Sequence, residues 1–183
     1  MTVYIALLRA VNVAGHNRVS MAELKILFER LRFHEVQTLL QTGNLVFRAE
    51  TQKTPALERL LEDEATKRLG LETEFFVRTA AEWRSMIDAN PFPAEARLDP
   101  GHLLAVSLKG APDREQVTSL RGAITGREIV QVRGRTAYIV YPDGAGRSRL
   151  TPALIERHLA TTGTGRNWNT VVKLGALARG KEE

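Results

Sequence analysis

The sequence predicts an α+β protein of two joined subdomains, an N-terminal ferredoxin-like half in the order βαββαβ and a related C-terminal half in the order βαββαα. Three observations lead there. Short β-branched apolar runs alternate with stretches of helical apolar period, a turn signature splits each half into a hairpin, and strand, helix, hairpin, helix recur on both sides of a proline-bearing stretch. The division falls near residues 91–100, giving subdomains 1–90 and 91–183.

The elements follow in order. "TVYIALLR" (2–9) is a β-branched apolar run and reads as a strand, followed by the polar loop "VNVAGHNRV". Ser20 stands three residues before Glu23, a capping box, and Leu24, Leu27, Phe28 and Leu31 share one helical face. "VQTLL" and "LVFR" flank "QTGN", whose glycine and asparagine tolerate positive φ, so the pair reads as an antiparallel hairpin. Thr54 is the expected N-cap of the second helix, with Pro55 at its first position and Leu57, Leu60, Leu61, Ala65 and Leu69 in period as far as Gly70.

"TEFFVR" (73–78) is the next strand. Thr79 and Glu82 then form a second capping box for a helix bearing Trp83, Met86 and Ile87, which "NPFP" stops. The second half opens with the strand "HLLAVSL", continues with a helix over 113–122, and makes a hairpin of "EIVQV" and "TAYIV" around "RGR". Thr151 and Pro152 repeat the cap-and-proline start for a helix through Leu154, Ile155 and Leu159. A polar loop and a last helix over about 168–179 complete the chain.

Charge is distributed unevenly. The net +5 arises entirely after residue 90, and from Arg121 to Lys181 there are 11 basic residues against 3 acidic. Such a segment attracts anions, although a solubilising surface has the same composition. The absence of cysteine excludes disulfides, thiolate catalysis and Cys-ligated zinc. "MTVYIALLRAVNVAG" has no basic start and is interrupted by Arg9, so neither a signal peptide nor a membrane span is expected and the protein reads as cytoplasmic, with no membrane partner.

Four motifs in fixed order, "YIALLRAVNVAGHNRVSMAELKILFERLRFHEVQTLLQTGNLVF", "NPFP", "YPDGAGRSRLT" and "TGRNWNTVVKL", resemble the uncharacterised domain-of-unknown-function family 1697 nearly end to end. The resemblance implies two joined α+β subdomains and brings no reaction with it. The chain departs from that family at three places. Ala10 and Ala14 stand where glycine is usual, Arg149 replaces a usual lysine, and Gly165 stands where threonine or alanine is more common.

Three stretches are candidate ligand sites. In "TGTGRNWNT", Gly163 and Gly165 precede Arg166, Asn167, Trp168, Asn169 and Thr170 at a helix start, where unpaired N–H groups and the positive end of the macrodipole suit an anion, with Lys173 one turn on. Architecture explains the same residues: an asparagine cap, a tryptophan in the core and an internally paired arginine. The loop 143–149 offers Arg147, Ser148 and Arg149 after two glycines, without Walker spacing, although a tight turn with solvated arginines is the preferred account of it. The loop 12–18 offers Asn12, Gly15, Asn17 and, as the best general acid/base, His16, with Gln41 and Asn44 at the neighbouring hairpin, although a turn rigidified by Asn and Gly side chains, with Gln41 and Asn44 making only the hairpin turn, is the preferred account.

His34, His102 and His158 lack metal-ligand spacing and read as structural; no metal and no cofactor is expected. No nucleophile–base motif is present. The expected function is binding of an anionic, phosphorylated ligand at the glycine and arginine loops of the C-terminal half. The alternatives are a small enzyme using His16 on a phosphorylated or carboxylated substrate, a nucleic-acid-binding sheet lacking the RNP1 aromatics, or an interaction module whose oligomeric state the sequence leaves open.

Overall fold

The computed structural model describes residues 1–182. The chain divides into two compact units, Met1–Ser85 together with the chain from Lys173 onward, and Met86–Val172. The C-terminal stretch, which follows the second half in sequence, thus groups with the first.

In the first unit the elements are β1 (Thr2–Leu8), α1 (Met21–Arg30), β2 (His34–Thr38), β3 (Asn44–Ala49), α2 (Thr54–Leu69) and β4 (Phe75–Thr79), with α3 (Ala80–Asp88) following. The sheet is antiparallel throughout in the order β2-β3-β1-β4, the ferredoxin-like arrangement. Tyr4, Ala6 and Leu8 point from the central strand to one face, where Leu24, Leu27 and Phe28 of α1 and Leu57, Leu61 and Ala65 of α2 close over them. Phe28 meets Phe47 edge-on at 5.0 Å, and Phe33 stacks on Phe47 at 4.8 Å. Each fully buried side chain of this size contributes about 1.5–3 kcal/mol. Both predicted capping boxes form: Glu23 N–H donates to Ser20 Oγ and Glu82 N–H to Thr79 Oγ1, each at 3.0 Å, with the glutamates returning the bond. At α2 the cap is Lys53, not Thr54: Thr54 is already helical and buried. Pro55 sets the entry there without help from a side-chain acceptor.

The second unit holds α4 (Pro93–Leu98), β5 (Leu103–Leu108), α5 (Arg114–Ala123), β6 (Ile129–Arg133), β7 (Thr136–Val140), α6 (Pro152–Leu159) and β8 (Gly163–Asn167), and α7 (Trp168–Glu182) begins in it. Its sheet order, β6-β7-β5-β8, repeats that of the first. This revises the expected order of the second half. The stretch read as a polar loop before the last helix is a fourth strand, paired antiparallel with β5 from Leu108↔Gly163 to Leu104↔Asn167, so the half is βαββαβ followed by α7. The reason lies in β5, an apolar strand whose outer edge takes any backbone that fits closely. A Cβ on Gly163 would stand 2.9 Å from side-chain atoms of Val106 and Leu108 and 3.1 Å from the Ser107 carbonyl oxygen, so glycine is needed for close approach rather than for a turn.

The two units share a way of closing one sheet edge. β4 is an edge strand, and its outward N–H groups at Phe75 and Val77 donate to Glu62 Oε1 (2.9 Å) and Glu58 Oε1 (2.8 Å), carboxylates one turn apart on α2. On β8 the Gly163 N–H donates to Glu156 Oε1 of α6 at 3.2 Å. Both helices open with the same four residues, Thr54, Pro55, Ala56 and Leu57 in one and Thr151, Pro152, Ala153 and Leu154 in the other. Glu58 is buried and lies 3.7 Å from the Arg78 guanidinium, whose Nη1 also donates to the Val77 carbonyl at 2.9 Å.

Candidate functional site

Loop 143–149 follows β7 and leads into α6. Its backbone is held at both ends. Arg127 grips the Asp143 carboxylate through two donors and holds its pKa below the usual carboxylate range. Ser148 Oγ donates to Glu128 Oε1 and accepts the Leu150 N–H at 2.9 Å, while the buried Tyr141 hydroxyl donates to the Leu150 carbonyl at 2.9 Å. Gly144 sits at φ +84. Ser148 is therefore spent on the loop itself. Arg147 and Arg149 are exposed, and no hydrogen bond or ion pair with another described residue engages either guanidinium.

His102 borders this loop. Its Nδ1 lies 2.9 Å from Asp99 Oδ2, and its Nε2 is 3.8 Å from where a Cβ on Gly144 would stand. The Asp99 carboxylate thus holds the imidazole by Nδ1 with Nε2 facing the loop. The spacing of His102 in the sequence carries no ligand pattern, which is why it reads there as structural; the signal was Asp99 three residues before it, across a turn. The other unexpected histidine pair is His158 Nδ1 with Ser119 Oγ at 2.7 Å, linking α6 to α5.

The stretch 163–170 is largely committed to the fold. Arg166 Nη1 donates to Thr164 Oγ1 at 2.8 Å and to the Gly165 carbonyl at 2.9 Å, and burial pushes its pKa down to about 10. Asn167 Oδ1 accepts the Thr170 N–H at 3.1 Å, which makes it the cap of α7. Trp168 and Thr170 are buried, with Trp168 tilted against Tyr138 at 6.5 Å. Asn169 and Lys173 are exposed, and Lys173 groups with the first unit. The glycine loop that would have freed an anion site at this helix start is the strand β8.

In the first unit, Asn12, Gly15, Asn17, Gln41 and Asn44 gather at one end of the sheet. Asn12 is fully occupied: Oδ1 accepts the Val19 N–H, and Nδ2 donates to the Val19 and Gln41 carbonyls, all within 2.8–2.9 Å. Asn17 Nδ2 donates to the Glu72 carbonyl at 3.2 Å. Asn44 is buried and shapes the hairpin turn through Leu39 and Thr42. Gln41 contributes its backbone to Asn12 and leaves its side chain exposed, as are His16 and Arg18. A cleft of about 390 Å³ beside this loop is lined by Asn12, Gly15, Arg18, Val19, Ser20 and Glu23.

The loop is conformationally costly. Ala10, Asn12, Ala14, Gly15 and Asn17 all have left-handed backbone, at φ from +48 to +78. Ala10 and Ala14 lack both the freedom of glycine and the local bonding of asparagine. Ala14→Gly is therefore expected to stabilise the protein by about 1 kcal/mol. Urea unfolding at unchanged m-value reads the gain, and a loss of stability would show that the loop relaxes in the wild type.

A family model described as a protein of unknown function, DUF1697, matches residues 1–138. No curated protein matches the chain. Among solved structures the conserved bacterial protein SP0830 from Streptococcus pneumoniae is similar over 97% of this chain and 98% of its own, at 22% identity and a TM-score of 0.72. At that identity the likeness shows the fold of both halves and nothing of their chemistry.

Proposed function

We propose, from the premise that the chain belongs to the DUF1697 family of proteins of unknown function, that it binds an anionic, phosphorylated ligand at loop 143–149 of its second unit. One observation carries this reading. Arg147 and Arg149 stand two apart on a loop braced by Asp143, Ser148 and Leu150, and both forked cations are exposed with no partner among the described residues. Forked donors on a braced backbone match the oxygens of phosphate or carboxylate. Arg166, the leading residue on sequence grounds, plays a supporting part in β8 instead. The cytoplasm is the proposed compartment, in keeping with a chain that has no cysteine to oxidise and, among its described residues, no helix long and apolar enough to cross a membrane.

Thermal-shift titration with inorganic phosphate and with nucleotides tests this. At 100 times its dissociation constant a ligand contributes about 2.7 kcal/mol, a readily measured shift. The double variant Arg147→Ala, Arg149→Ala is expected to abolish the shift, and Arg166→Ala to leave it in place. Stabilisation of equal size in the double variant would refute the assignment.

A second reading, a small enzyme acting on the same class of ligand, is favoured by the Asp99–His102 pair. His16 belongs to the first unit, whereas His102 belongs to the unit that holds Arg147 and Arg149 and turns Nε2 toward their loop. A nucleic-acid reading has less support. Residues on both faces of the central strands are buried, Tyr4 and Ile5 of β1 and Ala105 and Val106 of β5 among them, so those described strands offer bases no exposed side chains on which to stack.

A further inference from the structure

The two sheets present four outer edges, β2, β4, β6 and β8. An unpaired edge is a template for another strand unless something blocks it. On β4 the outward N–H groups of Phe75 and Val77 are filled by Glu62 and Glu58, and on β8 that of Gly163 is filled by Glu156. β2 is broken by a bulge, with Glu35 at φ +50 and the register shifting between His34 and Gln37. β6 has no bulge, its pairing with β7 running unbroken from Ile129↔Val140 to Arg133↔Thr136, and no carboxylate among the described residues fills its outward N–H groups.

The direction of its free groups follows from the hairpin. The turn has two residues, Gly134 and Arg135, with Gly134 at φ +56, so Arg133 and Thr136 form the closing hydrogen-bonded pair. Alternation along an antiparallel ladder then turns the N–H and C=O of Val130 and Val132 away from β7. The Arg121 Nε–H donated to the Val130 carbonyl at 3.1 Å agrees with that direction. Val130 is buried, with Arg121 on its carbonyl, whereas the N–H and carbonyl of the half-buried Val132 are left for a further strand.

Beside this edge a cleft of about 280 Å³ runs between β6 and α5, floored by Val117 and Val132 and flanked by Arg114 and Arg121. Asp113 also lines it, but its carboxylate is taken by the Gln116 N–H as the cap of α5. Arg114 is exposed, with no side-chain partner among the described residues. We propose that this groove binds an extended acidic segment of a partner protein, which adds to β6 as a fifth strand and places alternate carboxylates against Arg114 and Arg121. Main-chain pairing supplies the register and the arginines the selectivity. A second copy is the poorer occupant, because pairing β6 with itself would bring together two edges that each carry Arg114, Arg121 and Arg133. This inference does not depend on the anion site at the other loop.

Amide chemical shifts of the labelled full chain, titrated with an acetylated octapeptide alternating threonine with glutamate, test it. Saturable changes confined to residues 114–121 and 130–133 are expected, with none from the same peptide carrying lysine for glutamate. Val132→Pro removes an outward donor at an edge position that tolerates proline, and is expected to weaken binding about tenfold or more. Should that variant fold poorly, Arg114→Glu, on an exposed residue, decides with the same expected loss. The proposal is overturned by an absence of shifts, by equal response to the lysine peptide, or by self-association through β6 at rising concentration without peptide.

Discussion

Glu58→Leu is expected to cost about 3–5 kcal/mol in equilibrium unfolding, one of the two largest effects of any single substitution considered for this protein. The side chain is buried on α2, accepts the outward N–H of Val77 at 2.8 Å and lies 3.7 Å from Arg78, which is itself buried. Leucine fills nearly the same space and removes only the charge and the acceptor. It removes the carboxylate beside a buried cation and the acceptor of the Val77 N–H, and a buried donor that loses its acceptor bears its full desolvation cost. Glu58→Gln keeps an acceptor for Val77 and should retain much of the stability. Chemical denaturation of both variants separates the two contributions, and a loss below about 1 kcal/mol in the leucine variant would show that solvent reaches the pair.

Gly43→Ala is expected to lower stability by about 3 kcal/mol or more. Two costs combine there. The position has φ +77, where an L side chain meets its own carbonyl, at about 1–2 kcal/mol. The new Cβ would also lie 2.8 Å from Leu8 Cβ and from Val11 Cγ2, and Leu8 Cβ is fixed to the central strand, whose N–H donates to the Gly43 carbonyl at 2.9 Å. Overpacking of this kind adds about 1–3 kcal/mol. Gly134→Ala is the control: φ is +56 and nothing lies within 4 Å of the added carbon, so only the conformational cost of about 1 kcal/mol should appear. Equal losses in the two variants would mean that the hairpin at Gly43 shifts to relieve the clash.

The two substitutions divide the molecule along the line between local and distant causes. The hairpin around Gly43 is legible from "QTGN", because a turn is decided by four adjacent residues. What Gly43 touches is not legible, since Leu8 and Val11 lie more than thirty positions away in the chain. Glu58 gives no sign of its role in the sequence. It reads as one of several charged residues on a helix, and only the arrival of β4 alongside α2 makes its carboxylate the acceptor for an edge strand.

The candidate sites follow the same division. Loop 143–149 is recognisable by its glycines and arginines, and the structure leaves two of those arginines unengaged. Stretch 163–170 carries the same composition, yet there the glycines serve close packing on β5 and Arg166 bonds its own strand. Composition records which groups are available for a ligand. Whether the fold has already used them depends on partners that sequence spacing does not reveal.

By itself the sequence determined the α+β class, seven of the eight strands, the caps at Ser20, Thr79 and Thr151 and the two hairpins, because each rests on contacts between residues a few positions apart. Only the tertiary structure decided that "GTGRN" is a strand, that Glu58, Glu62 and Glu156 accept outward N–H groups of β4 and β8 while Val132 of β6 keeps its own unfilled, and that Arg147 and Arg149 rather than Arg166 keep free donors. A strand without intrinsic β-propensity takes its conformation from the neighbour that pairs with it, and a polar side chain takes its role from the distant group that satisfies it.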